Sequence, residues 1–158
     1  MMTKILMVCM ANICRSPMAQ RVILHMIKRA GLADQFQVDS AGTHVSRRSE
    51  PPDPRAAAAL TGRGYPLGKS RSRQITMQDF VRYDLILAMD LANLEHLRQA
   101  CPGDHMHKLR LFLEFAQGAE KFDVPDPYFG SVESFDRVLD LCEAGARGLV
   151  EHCQNAPL

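Results

Sequence analysis

A cysteine and an arginine stand six positions apart near the start of the chain, at Cys9 and Arg15, and they carry the clearest chemical signal in the sequence. A cysteine thiolate is a strong nucleophile, and an arginine presents a planar fork that holds two oxygens of a phosphoryl group at once. The pair therefore predicts covalent phosphoryl transfer. The spacing alone is not specific, because an inert thiol at a strand end followed by a solvated arginine also fits it.

The segment around this pair has the pattern of a strand followed directly by a helix. Residues 4–9 form a short apolar run typical of a buried strand, and Ser16 followed by Pro17 is typical of a helix start. Backbone N–H groups converge at such a junction and bind anions, and a helix N-terminus favours a thiolate over a thiol. The Ser16 hydroxyl could also hydrogen-bond the Cys9 sulfur and make it a better leaving group. We therefore predict a phosphate-binding loop in which Cys9 is the nucleophile.

Cleavage of a phosphate ester also requires an acid that protonates the leaving oxygen. Asp126 lies between Pro125 and Pro127, in the longest stretch without clear periodicity, residues 117–130. Because prolines restrict the backbone, this stretch can hold one carboxylate over a pocket, and Tyr128 can form an aromatic wall. A turn aspartate beside a half-buried tyrosine is the alternative interpretation. Together with the cysteine loop, the pattern favours this carboxylate as the general acid.

Strand and helix patterns alternate along the chain and must position these groups. The predicted elements are strands at 4–9, 36–41, 84–89 and 108–113, and helices from Ser16 to a stop at Gly31, at 53–63, at 91–100 and from a cap at Ser131 onward. The alternation predicts one α/β domain, residues 1–158, with a parallel sheet covered by helices on both faces. The last helix should bury Val132, Phe135, Leu139, Cys142, Leu149 and Val150. In such sheets ligands bind beyond the carboxyl ends of the strands, so the loop after the first strand should hold the chemistry.

Composition narrows the function classes. The chain has 158 residues and a formal net charge of +1, so no bulk electrostatic attraction to nucleic acid or to a membrane surface is expected. Its five cysteines show no disulfide spacing, and no apolar run reaches the length of a membrane-spanning helix. We therefore expect a cytoplasmic protein with reduced thiols and with neither nucleic-acid nor membrane partners.

Several motifs in order along the chain resemble the low-molecular-weight protein tyrosine phosphatases. They are residues 8–17 (Val-Cys-Met-Ala-Asn-Ile-Cys-Arg-Ser-Pro), 39–43 (Asp-Ser-Ala-Gly-Thr), 52–56 (Pro-Asp-Pro-Arg-Ala), 73–74 (Arg-Gln), 89–90 (Met-Asp) with Asn93, and 126–128 (Asp-Pro-Tyr). Their order and spacing match that family over nearly the whole chain. Family members often have glycine where Ala11 stands, and several have a tryptophan where this chain has residues 46–48 (Ser-Arg-Arg), which bears on substrate preference.

The resemblance implies a three-layer domain whose four parallel strands follow a flavodoxin-like order, with a phosphate loop after the first strand. It implies that Cys9 is the nucleophile, that Arg15 clamps the transition state, and that Asp126 acts first as an acid and then as a base. The other implied site residues are the substrate-binding Met10, Ala11, Asn12, Ile13, Cys14, Ser16 and Tyr128 and the supporting Ser40, with Asn12, Ser16 and Ser40 bracing the loop through hydrogen bonds. No metal or cofactor is implied. The expected partner is a tyrosine-phosphorylated protein, and the expected state is a monomer or a weak homo-oligomer.

Two further interpretations concern cysteines. The resemblance suggests that Cys14 forms a reversible disulfide with Cys9 and protects it from over-oxidation, whereas a small buried residue is the alternative. Cys101 with His105 and His107 contains metal-ligand types but lacks a fourth ligand at suitable spacing, so a metal site there is not favoured.

Three rival functions remain to be separated. An arsenate reductase on the same fold needs two more cysteines near the third strand, and residues 80–89 contain none. A phosphoarginine phosphatase usually has threonine where Ile13 stands. A binding module without catalysis should have lost Cys9, Arg15 or Asp126, and all three are present.

Overall fold

The computed structural model describes residues 2–155. The domain predicted over residues 1–158 extends past this range by Met1 and residues 156–158, which lie outside the described residues. The strands are β1 (Thr3–Cys9), β2 (Phe36–Gly42), β3 (Leu85–Ala88) and β4 (Leu109–Leu111), and they pair in parallel in the order β2-β1-β3-β4. The predicted four-stranded parallel sheet and its flavodoxin-like order are therefore confirmed.

Helices cover the sheet on both faces. The α-helices are α1 (Arg15–Arg29), α2 (Pro54–Gly62), α3 (Met77–Arg82), α4 (Leu91–Ala100) and α5 (Val132–Asn155), and short 3₁₀ helices span Gly103–Lys108 and Phe112–Phe115. Helices α1, α2 and α5 pack together over one face and bury the larger core, while α3 and α4 cover the other face. This arrangement confirms the three-layer architecture. Within residues 2–155, no helix combines the length and apolarity needed to cross a bilayer.

The fourth strand is shorter than its apolar run predicts. The sequence indicated a strand over residues 108–113, but pairing with β3 covers only Leu109–Leu111. Phe112 and Leu113 are both buried in the 3₁₀ helix that follows, where the Phe112 ring lies against the backbone of Gly145 on α5. A short apolar run indicates a buried strand or a buried helical turn equally well, and here the turn packs Phe112 and Leu113 into the core beside α5.

Two other local predictions differ from the structure. Helix α3 was not predicted, because its six residues are too few to show a helical period. Its start carries a capping box between Thr76 and Asp79, which is a signal that the sequence offered. In α5, which begins directly after Ser131, the expectation that Val132 is buried is wrong: it is 68% exposed at the first turn, whereas Phe135 one turn later is buried.

The order of the strands places the loop after β1 at the centre of the molecule. The chain leaves β1 toward β2 on one side and later returns to β3 on the other, so a crevice opens at the carboxyl end of β1. Gly42 lies opposite Cys9 in the β1–β2 register, and a Cβ on it would lie 2.6 Å from the Met10 carbonyl oxygen. Only a glycine allows these two backbones to approach so closely.

Candidate active site

In the phosphate loop, residues 9–15, several backbone carbonyl groups accept hydrogen bonds from residues outside the loop. The carbonyls of Cys9 and Met10 accept hydrogen bonds from the first two residues after β2, at 3.0 and 2.8 Å, and the Ile13 carbonyl accepts one from the N–H of Asp53 at 2.8 Å. The N–H groups that follow Cys9 in the loop find no acceptor in the described part of the chain. With its carbonyls engaged elsewhere, the loop keeps its N–H groups for an anion.

The Asn12 side chain fixes the loop from behind. Asn12 has a φ of 60°, in the left-handed region that asparagine tolerates better than most residues. Its amide nitrogen donates to Ser16 Oγ at 2.8 Å and to Ser40 Oγ at 2.9 Å, and its amide oxygen accepts from the Arg73 N–H at 2.9 Å. Three parts of the chain, α1, β2 and the segment before α3, therefore converge on one buried amide.

Cys9 lies at the base of the crevice, with 2% of its surface exposed. Its Sγ lies 3.1 Å from Ser16 Oγ. The Ser16 oxygen already accepts a hydrogen bond from Asn12, and its single proton can go to the Ala41 carbonyl at 3.4 Å or to the closer Cys9 sulfur, where a thiolate can only accept. Ser16 is thus placed to stabilise negative charge on this sulfur.

The second cysteine of the loop, Cys14, has a different environment. Burial, reinforced by the negative charges of Asp53, Cys9 and Asp126, raises the pKa of Cys14 to about 12. Cys14 is therefore a protonated thiol at neutral pH, and a thiol is a poor nucleophile. Cys9 is therefore the candidate nucleophile of this loop.

Arg15 is buried and held by two acceptors. Its Nη1 donates to Asp90 Oδ2 at 2.6 Å and to the Val124 carbonyl at 3.0 Å, and its Nη2 lies 3.9 Å from Asp126 Oδ2. Burial by itself lowers the pKa of Arg15, but the negative charges of Cys9, Asp90 and Asp126 outweigh it and raise the pKa above its ordinary value. The guanidinium is therefore a fixed cation, with Nη1 bound to Asp90 and Nη2 facing Asp126.

Asp126 stands at the mouth of the crevice, and 42% of its side chain is exposed. Its Oδ1 accepts a hydrogen bond from the Tyr128 N–H at 3.1 Å, which closes a turn within the loop. Arg55 ties this loop to α2: its Nη1 donates to the Tyr128 carbonyl at 2.9 Å, and its guanidinium lies over the Tyr128 and Phe135 rings. Asp53 pairs with Arg55 at 2.9 Å. Asp126 is thus positioned by its own turn, by the contact of Arg55 with the Tyr128 carbonyl, and by the nearby Arg15 guanidinium.

These groups surround a pocket of about 210 Å³. Its walls are Cys9, Met10, Ala11, Ile13, Cys14, Arg15, Ser46, Asp126, Tyr128 and Phe129. The structure thus brings together at one pocket most of the side chains singled out from the sequence. The others, Asn12, Ser16 and Ser40, lie behind the loop and support it.

The sequence did not indicate three residues that contribute to this site: Asp90, Arg55 and Phe129. Asp90 belongs to a motif that was noticed, but its contact with Arg15 joins positions 75 residues apart. A basic residue at a helix start needs an anionic partner, and that requirement was the one available signal. Arg55 likewise had no assigned role. Phe129, which is 95% exposed at the pocket mouth, gave no signal beyond its neighbour Tyr128.

The candidate metal ligands Cys101, His105 and His107 do not assemble. Cys101 Sγ donates to the Pro102 carbonyl at 3.4 Å. Among residues 2–155, no group of three or more histidine, cysteine, aspartate or glutamate side chains is arranged to hold a metal ion.

Comparison with known proteins agrees with this geometry. The family described as low molecular weight phosphotyrosine protein phosphatase matches residues 4–156. A low molecular weight protein-tyrosine-phosphatase of Streptomyces coelicolor is 38% identical over 150 residues, which cover 93% of this chain and 91% of the relative. The crystal structure of a low molecular weight phosphotyrosine phosphatase from Vibrio cholerae O395 is 40% identical, with a TM-score of 0.92 and 99% of each chain covered. That of a protein tyrosine phosphatase from Entamoeba histolytica with Hepes in the active site is 34% identical, with a TM-score of 0.95 and the same coverage. The chain therefore belongs to the low-molecular-weight phosphotyrosine protein phosphatase family.

Proposed function

We propose that this protein hydrolyses phosphotyrosine in protein substrates through a phosphocysteine intermediate. Family membership supports the activity. The observation that carries the residue roles is the convergence of Cys9, Arg15 and Asp126 on one pocket, with Ser16 Oγ 3.1 Å from the Cys9 sulfur. A nucleophile, a fixed cation and an acid at one pocket are the parts that phosphomonoester cleavage needs.

In the first step, the Cys9 thiolate attacks phosphorus. An S–P bond forms, the bond between phosphorus and the phenolic oxygen breaks, and Asp126 donates its proton to that oxygen. Tyrosine leaves. The loop N–H groups and Arg15 hold the other three phosphoryl oxygens, whose charge grows in the transition state.

In the second step, the Asp126 carboxylate takes a proton from a water molecule as its oxygen attacks phosphorus. The S–P bond breaks, inorganic phosphate leaves, and the Cys9 thiolate is restored. The Ser16 hydroxyl stabilises the departing sulfur, because it donates where negative charge develops. The side chains named here suffice for both steps, and no metal ion or cofactor is invoked.

The shape of the pocket supports phosphotyrosine over phosphoserine. Cys9 lies at the base, and Tyr128 and Phe129 stand at the rim. A phenolic phosphate reaches the sulfur past these rings and contacts them, whereas the shorter phosphoserine chain leaves its phosphorus farther out. Ile13 adds an apolar contact and no hydrogen-bond acceptor, which disfavours the phosphoarginine alternative.

Cys14 is proposed to protect Cys9 from over-oxidation. Peroxide oxidises the Cys9 thiolate to a sulfenic acid. Cys14 then loses its proton and attacks that sulfur, a disulfide forms, and water leaves. The Cys9 charge contributes to the high pKa of Cys14, so oxidation of Cys9 makes Cys14 easier to ionise. Dithiothreitol should restore activity after peroxide in the wild type, but not in Cys14→Ala.

The cysteines also support the proposed cytoplasmic location. All five are free thiols in the structure, as proteins of a reducing compartment have. The expected partners are tyrosine-phosphorylated proteins.

The test of the proposed function is Cys9→Ser. It should lower kcat below about 1% of the wild-type value and keep inorganic phosphate binding, because the N–H groups and Arg15 remain. The matched control is Cys101→Ser, which makes the same change at a partly buried cysteine that does not line the pocket. Turnover above that level in Cys9→Ser would rule out covalent catalysis by this cysteine.

A further inference from the structure

A second cavity, of about 680 Å³, lies along the outer edge of β2. Its walls come from α1, β2, α3 and residues 69–73, the segment that precedes α3. Five basic side chains line it: Arg21, Lys69, Arg71, Arg73 and Arg82. The whole chain has a formal net charge of only +1. Positive charge is therefore concentrated at this cavity, and acidic residues elsewhere in the chain balance it.

The carboxylates at this cavity are already engaged. Asp79 accepts two hydrogen bonds from Arg73, at 2.9 and 3.0 Å. Asp39 accepts one from the Tyr83 hydroxyl at 2.6 Å and one from the Gln37 amide at 2.7 Å. Within the described part of the chain, the other four basic side chains form no salt bridge. Five cations against the two carboxylates Asp39 and Asp79 leave the cavity with an excess of positive charge, which favours an anionic ligand.

Arg21 is the basic residue of this cavity whose hydrogen bonds are least satisfied within the described chain. Its Nε is buried and has no hydrogen-bond partner among residues 2–155. Its Nη2 donates to the Ser70 hydroxyl, and a Cβ on Gly68 would collide with the guanidinium, so the glycine leaves room for it. Burial lowers the pKa of Arg21. A buried N–H without an acceptor is costly, and an anion in the cavity would offset part of the cost of burying this cation.

We propose that this cavity binds a small polyanion that carries two or more phosphate groups. Guanidinium groups pair with phosphate oxygens through two parallel hydrogen bonds, and the exposed Arg71 and Arg82 supply two such forks from different segments, while Arg21 adds a third positive charge. The cavity is about 680 Å³ against about 210 Å³ for the catalytic pocket, so it accommodates a larger anion than a single phosphoryl group.

The cavity is also connected to the phosphate loop. Ser40 and Arg73 line the cavity, and both contact Asn12: Ser40 Oγ accepts from its amide nitrogen, and the Arg73 N–H donates to its amide oxygen, each at 2.9 Å. A ligand that relieves the repulsion between the cations stabilises residues 69–73, and with them the Asn12 side chain. The site is therefore placed to activate catalysis from outside the catalytic pocket.

Calorimetric titration with sodium tripolyphosphate tests the site. Orthovanadate fills the catalytic pocket, and ionic strength is held constant. We expect one tripolyphosphate per chain, bound about tenfold or more weakly by Arg21→Gln and by Arg71→Gln, since each removes a charge-assisted hydrogen bond. Arg71 is exposed, so its replacement leaves the core intact. The control, Arg29→Gln, removes the same charge from an exposed position on α1 that does not line the cavity, and it should bind as wild type.

The outcomes separate the explanations. Absence of binding, or equal weakening by all three variants, would overturn the proposal, because the second result means diffuse charge attraction. At saturating aryl phosphate, and with tripolyphosphate near its wild-type dissociation constant, kcat of the wild type should rise by about 1.5-fold or more while that of Arg71→Gln stays nearly unchanged, because the variant is then mostly unoccupied. An equal rise in both proteins would overturn the connection to the loop. The calorimetry uses no turnover, so its result is independent of the Cys9→Ser test.

Discussion

The phosphate loop and the acid loop, residues 117–130, face each other across one pocket, but they bury their functional side chains to very different extents. In the phosphate loop, Cys9 and Arg15 are buried, and Asn12 makes three hydrogen bonds to three different elements. In the acid loop, Asp126 is 42% exposed on its side chain and accepts one hydrogen bond from its own turn. Tertiary contacts hold the backbone of both loops, and in the acid loop they act at Val124 and Tyr128, but only the phosphate loop also buries its functional side chains.

The difference follows from what each loop must do. Groups that stabilise a transition-state charge work best when they need no reorganisation, and that requires burial and many partners. A group that exchanges a proton with a leaving group and then with water must stay accessible to both. Two substitutions, one in each loop, should therefore change the kinetics in different ways.

Asp126→Asn should produce the larger loss. It should lower kcat by about 10²–10⁴-fold for alkyl and unactivated aryl phosphates, and far less for p-nitrophenyl phosphate, whose leaving group needs little protonation. A leaving-group series measured with both proteins checks this. An equal loss for every leaving group would mean that Asp126 has a structural role. The two loops would then not differ in the way proposed here.

Arg15→Lys should lower kcat/KM by about 10²–10³-fold for every leaving group alike, because an ammonium cannot replace the fork on the phosphoryl oxygens. The same leaving-group series measures it. Arg29→Lys, on the exposed last turn of α1, is the matched control and should behave as wild type. Near-normal kcat/KM in Arg15→Lys would remove this residue from the site.

Gly42→Ala tests whether the rigidity of the phosphate loop matters. The new Cβ would lie 2.6 Å from the Met10 carbonyl oxygen, so the loop must shift, and we expect a loss of about 1–3 kcal/mol in the free energy of unfolding together with lower kcat. Urea denaturation and steady-state kinetics measure both. Gly62→Ala, at the end of α2 with nothing within 4 Å, is the control and should be neutral or slightly stabilising. If the two variants had the same stability and the same kcat, close packing around Gly42 would not matter for the phosphate loop.

Ile13→Thr should have the smallest effect, on specificity alone. Ile13 lines the pocket and offers a guanidinium no hydrogen bond, so the wild type should prefer phosphotyrosine over phosphoarginine by about 10- to 100-fold in kcat/KM. The threonine hydroxyl should narrow that ratio. Matched peptides carrying phosphotyrosine, phosphoserine or phosphoarginine provide the measurement. If the wild type cleaved phosphoarginine as fast as phosphotyrosine, the protein would be better described as a phosphoarginine phosphatase.

The sequence alone predicted the architecture and singled out the candidate catalytic residues. Cys9, Arg15 and Ser16 fall within eight consecutive positions, so their roles depend on a local strand–loop–helix junction that spacing and residue type reveal. The alternation of strands and helices likewise predicted the parallel sheet, because hydrophobic period is a local property. Errors appeared where periodicity is weak: at the six-residue α3 and at the end of β4.

Only the tertiary structure decided how the site is held. The contact between Arg15 and Asp90 spans 75 positions, and the hydrogen bond between Asn12 and Arg73 spans 61. Neither leaves a pattern along the chain, because such pairs form only when the sheet brings distant segments to one edge. The charge cluster beside Ser40 is of the same kind: its members come from separate elements, and the cavity between them exists only once those elements have packed.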